Sequence, residues 1–185
     1  MNPIFVAAHE VELVCHQGLL KFCFIGGLAV QRWGEPRMTQ DVDMTLLTGF
    51  GGEEPFVDEM LHHFLGRISD AREFALRNRV LLLKASNGIA IDVSLGAMPF
   101  EEHTIDRSSP FRVDTHVTLT TCCAEDLIVH KAFAGRDKDW ADIRGIVARQ
   151  GPVLRLPMIW TELLPLLELK QDTDAEGRLR AIVDG

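Results

Sequence analysis

Two aspartates stand two positions apart in a segment that alternates polar and apolar residues. Asp41 and Asp43 alternate with Val42 and Met44 at the start of the segment 41–47. A period of two predicts a half-buried strand that projects both carboxylates from one face. Neighbouring carboxylates repel each other, and a divalent cation with all-oxygen ligands, Mg²⁺ or Mn²⁺, relieves that repulsion. The pair therefore indicates a candidate metal site.

A pair of glycines precedes these aspartates. Residues 21–25 predict a buried strand and residues 28–33 a short helix, with Gly26 and Gly27 between them. Glycine lets backbone amides come close to an anion, and a helix N-terminus favours negative charge. A phosphate-binding turn beside a metal-binding strand is what phosphoryl-group chemistry needs. Either motif alone is common in turns and on exposed strands, whereas their combination is far more specific.

The rest of the chain predicts a mixed first part and a helical second part. Residues 79–85 and 89–95 predict two strands joined by the hairpin signal Asn87-Gly88. We therefore predict an α+β fold, a small mixed sheet flanked by helices, with a core over 1–121 and a helical C-terminal part over 122–185 packed on it. The other predicted elements are helices over 6–20, 53–65, 124–134, 137–149, 157–170 and 175–183 and a strand over 113–119.

Composition narrows the classes of function. The 185 residues include 27 acidic and 19 basic side chains, a formal net charge of −8, which argues against broad, sequence-blind nucleic-acid binding. A basic run over 67–84 is either a local binding patch or a solvated helix face. The apolar stretches are too short to cross a bilayer and the first ten residues lack a secretory signal, so we expect a cytoplasmic protein without a membrane partner.

The combined pattern resembles the polymerase-beta-like nucleotidyltransferases, in particular the minimal AbiEii type found as toxins of abortive-infection and toxin–antitoxin systems. The resemblance spans about residues 22–149. It implies that Gly26 and Gly27 form the phosphate turn and that Asp41 and Asp43 are catalytic metal ligands. It also implies a third catalytic and metal-binding carboxylate on a later strand, and Asp92 lies at the matching position, on the opposite strand face from its apolar neighbours.

The resemblance extends to Arg37 and Thr39 before the aspartates, and to Lys131 within the segment 125–142. It implies nucleotide-binding roles for these three side chains. Arg37 would contact a phosphate or brace Asp41. Lys131 would approach the triphosphate or base, or would instead pair with acidic residues near it. Asp139 and Asp142 are two of these acidic residues, and each has either an acid/base role or a structural one.

The activity implied by the resemblance is Mg²⁺- or Mn²⁺-dependent transfer of a nucleoside monophosphate from an NTP to an acceptor hydroxyl, with release of pyrophosphate. The acceptor would be tRNA, a protein or a small molecule. As a toxin, the protein would have an antitoxin partner. The alternative is a catalytically decayed member of the fold that only binds.

Overall fold

The computed structural model describes residues 2–184, and within them a seven-stranded mixed sheet has the order β3-β4-β5-β2-β1-β7-β6. Pairing is parallel between β2 and β5 and between β1 and β7, and antiparallel elsewhere. The strands are β1 (Phe22–Phe24), β2 (Asp41–Leu47), β3 (Leu65–Gly66), β4 (Val80–Lys84), β5 (Ala90–Gly96), β6 (Ser109–Arg112) and β7 (Thr118–Thr121).

Helices account for most of the remaining chain, and the predicted α+β class is confirmed. They are α1 (Pro3–Gln17), α2 (Gly26–Trp33), α3 (Glu54–His63), α4 (Ala71–Asn78), α5 (Pro99–Asp106), α6 (Ala124–Ala134), α7 (Asp137–Gln150), α8 (Leu156–Lys170) and α9 (Ala175–Val183). None of the helices in residues 2–184 has the length and apolar character needed to span a membrane.

The chain forms two compact units, one of residues 2–28 and 38–122 and the other of residues 29–37 and 123–184. The first unit contains the sheet. Its core lies on the sheet face where β2 and β5 present fully buried apolar side chains to the buried side of α1. That burial stabilises the strand register, because a slip of one residue would expose the whole apolar set. The side chains are Val42, Met44, Ile91 and Val93 from the strands and Ala7, Ala8 and Val11 from the helix.

The second unit is helical. Its helix α6 contacts both α7 and α8, and ends at Gly135, whose φ of +70° a glycine adopts without the cost of a side chain. The buried side chains of α7 and α8 recur at helical spacing, which explains why the sequence pattern predicted these helices, whereas α6 is buried along most of its length. They include Leu127, Ile128, Trp140, Ile143, Ile159 and Leu163.

The predicted strand over 113–119 is wrong. Those residues mostly form the turn between β6 and β7, where the carboxylate of Asp114 accepts hydrogen bonds from the N–H and Oγ1 of Thr115. The Val113 N–H then donates to the carbonyl of Val117, which closes the turn. An aspartate that bonds to its own turn competes with strand pairing, and this local preference outweighs the β-branched composition.

Four further elements lie outside the prediction: β3, β6, α4 and α5. Helix α5 begins with Pro99, and the carboxylate of Glu101 accepts from the N–H groups of Ala97 and Met98 at 2.8 and 2.9 Å. Proline in the first turn and a glutamate two residues later are a helix-start signal that is visible in the sequence. The strand β3 has two residues and carries no periodicity from which it could be predicted.

Candidate active site

The three aspartates singled out by the sequence lie on adjacent strands. Asp43 on β2 and Asp92 on β5 are register partners, and Asp41 lies two residues before Asp43 on the same face. Parallel pairing puts partners side by side with their side chains on the same face of the sheet. The opposite face of both strands is the apolar core, so the carboxylates project from the half-exposed face, which they share with Thr45 and Ser94.

One carboxylate oxygen from each of Asp41, Asp43 and Asp92 lies within 4.8 Å of the other two. Among residues 2–184 this is the only group of three or more His, Cys, Asp or Glu side chains with such geometry. Three negative charges at this separation repel strongly unless a cation lies among them. The donor set is all oxygen and half-exposed, which fits a hard divalent ion such as Mg²⁺ or Mn²⁺.

The glycine pair lies directly against this cluster. The N–H of Ile25 donates to the carbonyl of Asp43 at 3.0 Å, which carries the chain from β1 into the turn. Gly26 has φ +56°, and a Cβ built on it would lie 2.0 Å from Oδ2 of Asp43. A Cβ on Gly27 would lie 2.3 Å from Oγ1 of Thr39. Both positions therefore require glycine, the first for its backbone conformation and its contact, the second for its contact.

Thr39 connects the turn to the carboxylates. Its Oγ1 donates to Oδ1 of Asp41 at 3.1 Å, with the carbonyl of Asp41 at 3.3 Å. A hydroxyl held between Gly27 and Asp41 limits the rotamers of that carboxylate. In this structure Thr39 therefore braces Asp41, a contact that the sequence had suggested for Arg37.

Asp92 has a basic neighbour that sequence reasoning missed as a site residue. The guanidinium of Arg67 donates to Oδ1 of Asp92 at 2.7 Å. In the sequence, Arg67 stood out only as one member of the basic run 67–84. No spacing rule joins two residues 25 positions apart, so the contact becomes visible only with the sheet order.

Arg37 and Lys131 belong to a separate cluster in the second unit. The Lys131 ammonium donates to Asp142 at 2.6 Å and to Asp139 at 3.3 Å, with only 5% of its side chain exposed. Arg37 makes a two-point pair with Asp142 at 2.8 and 2.9 Å, and Arg136 pairs with Asp139 at 2.6 Å. The sequence left open whether Lys131 contacts the nucleotide or pairs with nearby acidic residues, and in this structure it pairs with Asp139 and Asp142.

The two aspartates of this cluster stay ionised. Burial alone would raise the pKa of Asp142, but hydrogen bonds from Arg37 and Lys131 outweigh burial and hold its pKa below the usual value. Burial acts in the same way on Asp139, whose pKa is lowered overall by its bonds to Arg136 and by the nearby charge of Lys131. A lysine and two arginines thus neutralise two buried carboxylates.

Comparison with known proteins adds a family and a fold. Residues 4–150 match the model of a protein family described as nucleotidyltransferase of unknown function (DUF6036). No curated protein sequence matches the chain.

Solved structures with a similar fold share little sequence identity. An antigenic nucleotidyltransferase-like protein from Paracoccidioides brasiliensis is 16% identical, with 97% of this chain and 94% of that chain covered and a TM-score of 0.53. The antibiotic-resistance factor ANT(2'')-Ia in solution is 13% identical (94% and 96% covered, TM-score 0.54). Its crystal structure in complex with adenylyl-2''-tobramycin is 14% identical (90% and 98% covered, TM-score 0.53). At these identities the likeness is one of fold.

Replacing Gly26 with alanine should disrupt the carboxylate cluster. We expect Gly26→Ala to weaken Mn²⁺ binding by about 10- to 100-fold, as the loss of a contact that orients a metal ligand does, because the new Cβ must displace Asp43. Titration calorimetry with Mn²⁺ measures this. Gly88→Ala is the control: Gly88 has φ +85° and open space around its Cβ position, so it bears the left-handed backbone cost of about 1–2 kcal/mol without any clash. Equal Mn²⁺ affinity in both variants would contradict the prediction.

Replacing Lys131 with methionine should destabilise the fold. Lys131→Met leaves Asp139 and Asp142 buried with less compensation, and breaking a buried ion pair costs about 3–5 kcal/mol. Because the pKa values of both aspartates are lowered in the folded protein, the cost should be complete at pH 7 and shrink as the pH falls below about 4 and the carboxylates become protonated.

Urea unfolding at pH 7 and at pH 3.5 measures both effects. Lys170→Met is the matched control, because Lys170 is 37% exposed and pairs with Asp172 near the surface, where such pairs contribute about 0–1 kcal/mol. A loss of stability in Lys131→Met no greater than in this control would show that the buried cluster does not support the fold.

Proposed function

Because the chain belongs to the nucleotidyltransferase family of unknown function DUF6036, we propose that it is an enzyme that transfers a nucleoside monophosphate from an NTP to an acceptor hydroxyl, with Mg²⁺ or Mn²⁺ as cofactor. The observation that carries the proposal is the convergence of three carboxylates on paired strands, directly against a glycine turn. A decayed fold under no selection for chemistry has no reason to keep these like charges together.

In the proposed reaction Asp41, Asp43 and Asp92 would hold the divalent cation. When bound, the cation neutralises charge on the phosphates and on the attacking oxygen. The N–H groups of the Gly26–Gly27 turn, at the start of α2, would bind the β- and γ-phosphates, where the helix dipole favours negative charge. Asp92 would accept the proton of the acceptor hydroxyl. The bond from that oxygen to the α-phosphorus forms as the bond to pyrophosphate breaks.

Arg37, Thr39 and Lys131 occupy positions at which the resemblance implies nucleotide binding. One of them would contact the nucleotide directly, and the other two would act through a neighbouring aspartate. Thr39 would act through Asp41, to which it donates. Arg37 has 37% of its side chain exposed and would contact a phosphate, whereas Lys131, at 5%, would act by holding Asp142, the anchor of Arg37. A planar guanidinium held on one side by a carboxylate is a suitable phosphate ligand.

For the acceptor, we favour a small hydroxyl compound over a nucleic acid. Three arginines of the basic run are engaged by acidic side chains: Arg67 by Asp92, Arg72 by Glu54 and Asp58, and Arg79 by Glu53. Binding along a nucleic-acid backbone needs many positive charges that acidic side chains do not already offset, and the net charge of −8 adds long-range repulsion. The ANT(2'')-Ia complex, which contains adenylyl-2''-tobramycin, is an example of such an acceptor on a similar fold.

A toxin of a toxin–antitoxin system, with tRNA or a protein as acceptor, is the second candidate. What favours it is the resemblance of Arg37-x-Thr39 and of the segment 125–142 to the AbiEii branch. Co-purification with a small antitoxin would support this candidate.

Nucleotide binding tests the site itself. We expect one of the four NTPs to bind in the presence of Mg²⁺ and to lose that binding in the Asp41→Asn/Asp43→Asn double variant, which preserves side-chain size while removing the charges that hold the cation. Calorimetry with each NTP, with and without Mg²⁺, measures this. Circular dichroism of the variant controls for folding. Failure of the wild type to bind any NTP would contradict the proposed function.

Transfer from the bound NTP identifies the acceptor. With nucleotide labelled in its α-phosphate, we expect label to appear on a polyhydroxylated cationic small molecule such as an aminoglycoside, and not on total tRNA or on protein. With the acceptor that is labelled, Asp43→Ala should lower turnover by about two to four orders of magnitude, as the loss of a major electrostatic contributor does. Labelling of tRNA or protein instead would reject the small-molecule acceptor and favour the toxin.

A further inference from the structure

Arg67 forms an ion pair with Asp92, one of the three aspartates of the carboxylate cluster. Of the side-chain contacts described for Asp41 and Asp92, this is the one with a basic residue. The guanidinium lies 2.7 Å from Oδ1 of Asp92, with about a third of each side chain exposed, 31% and 34%. Ion pairs at this exposure contribute little to folding stability. The pair therefore calls for an explanation other than the stability of the fold.

Backbone pairing places Arg67 beside the cluster. The N–H of Arg67 donates to the carbonyl of Leu82 at 2.9 Å, which continues the pairing of β3 with β4. Leu82 is the register partner of Asp92, and Asp92 is the register partner of Asp43. These four residues thus form one row across the sheet. Such a row faces one side, and a long arginine side chain can reach across Leu82 to the carboxylate.

The neighbouring arginines are used differently. Arg72 on α4 pairs with Glu54 and Asp58 on α3, away from the three aspartates. Arg79, at the end of α4, donates to Glu53 and to the carbonyl of Leu95. Arg67 is thus the member of this run whose charge falls on a candidate metal ligand.

We propose, on the basis of the function proposed above, that Arg67 is a positioning residue for Asp92 and the built-in counter-charge of the metal site. Its bond to Oδ1 holds the carboxylate in one rotamer and leaves Oδ2 for the cation and the acceptor. Its positive charge offsets one of the three negative charges, which lowers the affinity of the protein for a free divalent ion. Tight cation binding then depends on the additional negative charge of the nucleotide phosphates.

The size of the effect follows from distance and charge. A guanidinium that contacts a ligand carboxylate lies only a few ångströms from the cation, where a unit charge changes the binding free energy appreciably even with the screening of a half-exposed site. We therefore expect Arg67→Gln to bind Mn²⁺, in the absence of nucleotide, about tenfold more tightly than the wild type.

Electron paramagnetic resonance of free and bound Mn²⁺, titrated into the full chain, tests the proposal. Arg67→Lys keeps the charge and should bind within about twofold of the wild type. Arg72→Gln removes one charge from the same run at a site that does not touch the cluster, so it should also stay within about twofold, which separates a local effect from net charge. Mn²⁺ binding at this site should be lost when Asp41→Asn/Asp43→Asn is added to Arg67→Gln.

Two results would overturn this role of Arg67. One is an equal or lower Mn²⁺ affinity in Arg67→Gln than in the wild type, including no binding by either. The other is an equal gain in Arg72→Gln, because net charge alone would then explain the effect. The proposed nucleotidyl transfer is judged separately, by Mg²⁺-dependent binding of an NTP to the wild type, so a failure of this role of Arg67 is distinguishable from a failure of the proposed function.

Discussion

The parallel pairing of β2 with β5 is the constraint on which the candidate site depends. It makes Asp43 and Asp92 neighbours although 49 positions separate them in the sequence. The carboxylates repel, so the free energy that holds them together must come from elsewhere. It comes from the opposite face of the same two strands, where Val42 and Ile91 are fully buried. A slip of one residue would lose that burial and the cluster together.

Each carboxylate of the cluster also has its own neighbour, and each neighbour comes from a different segment. Thr39, in the loop before β2, donates to Asp41. The Gly26 backbone passes against Asp43, and Arg67, after β3, pairs with Asp92. This division is consistent with three ligands that must be oriented independently, since a metal site depends on the groups that orient its ligands as much as on the ligands. The second unit solves a related problem differently, by surrounding two buried aspartates with three cations.

Features of the fold and of the candidate site that depend on residues close together in the sequence were predictable, and those that depend on distant residues were not. The Asp-x-Asp strand, the glycine turn and the Asn-Gly hairpin are local patterns, and the mixed sheet follows from them. The pair between Arg37 and Asp142 joins residues 105 positions apart, and no local rule specifies it. The strand predicted over 113–119 failed because Asp114 forms its own turn. The role of Thr39 toward Asp41 could have been suspected, because only one residue separates them.

The close approach of Gly26 to Asp43 bears on how other members of this family can be interpreted. Three aspartates at corresponding positions can act together only if the turn beside them leaves room for the carboxylate of Asp43. A residue with a side chain at the position of Gly26 would meet the carboxylate at 2.0 Å and would also require φ near +56°. Natural sequences that keep all three acidic positions but have lost this glycine would therefore be expected to have lost the chemistry. Within this family, the presence or loss of Gly26 is therefore a better indication of an intact site than the three aspartates alone.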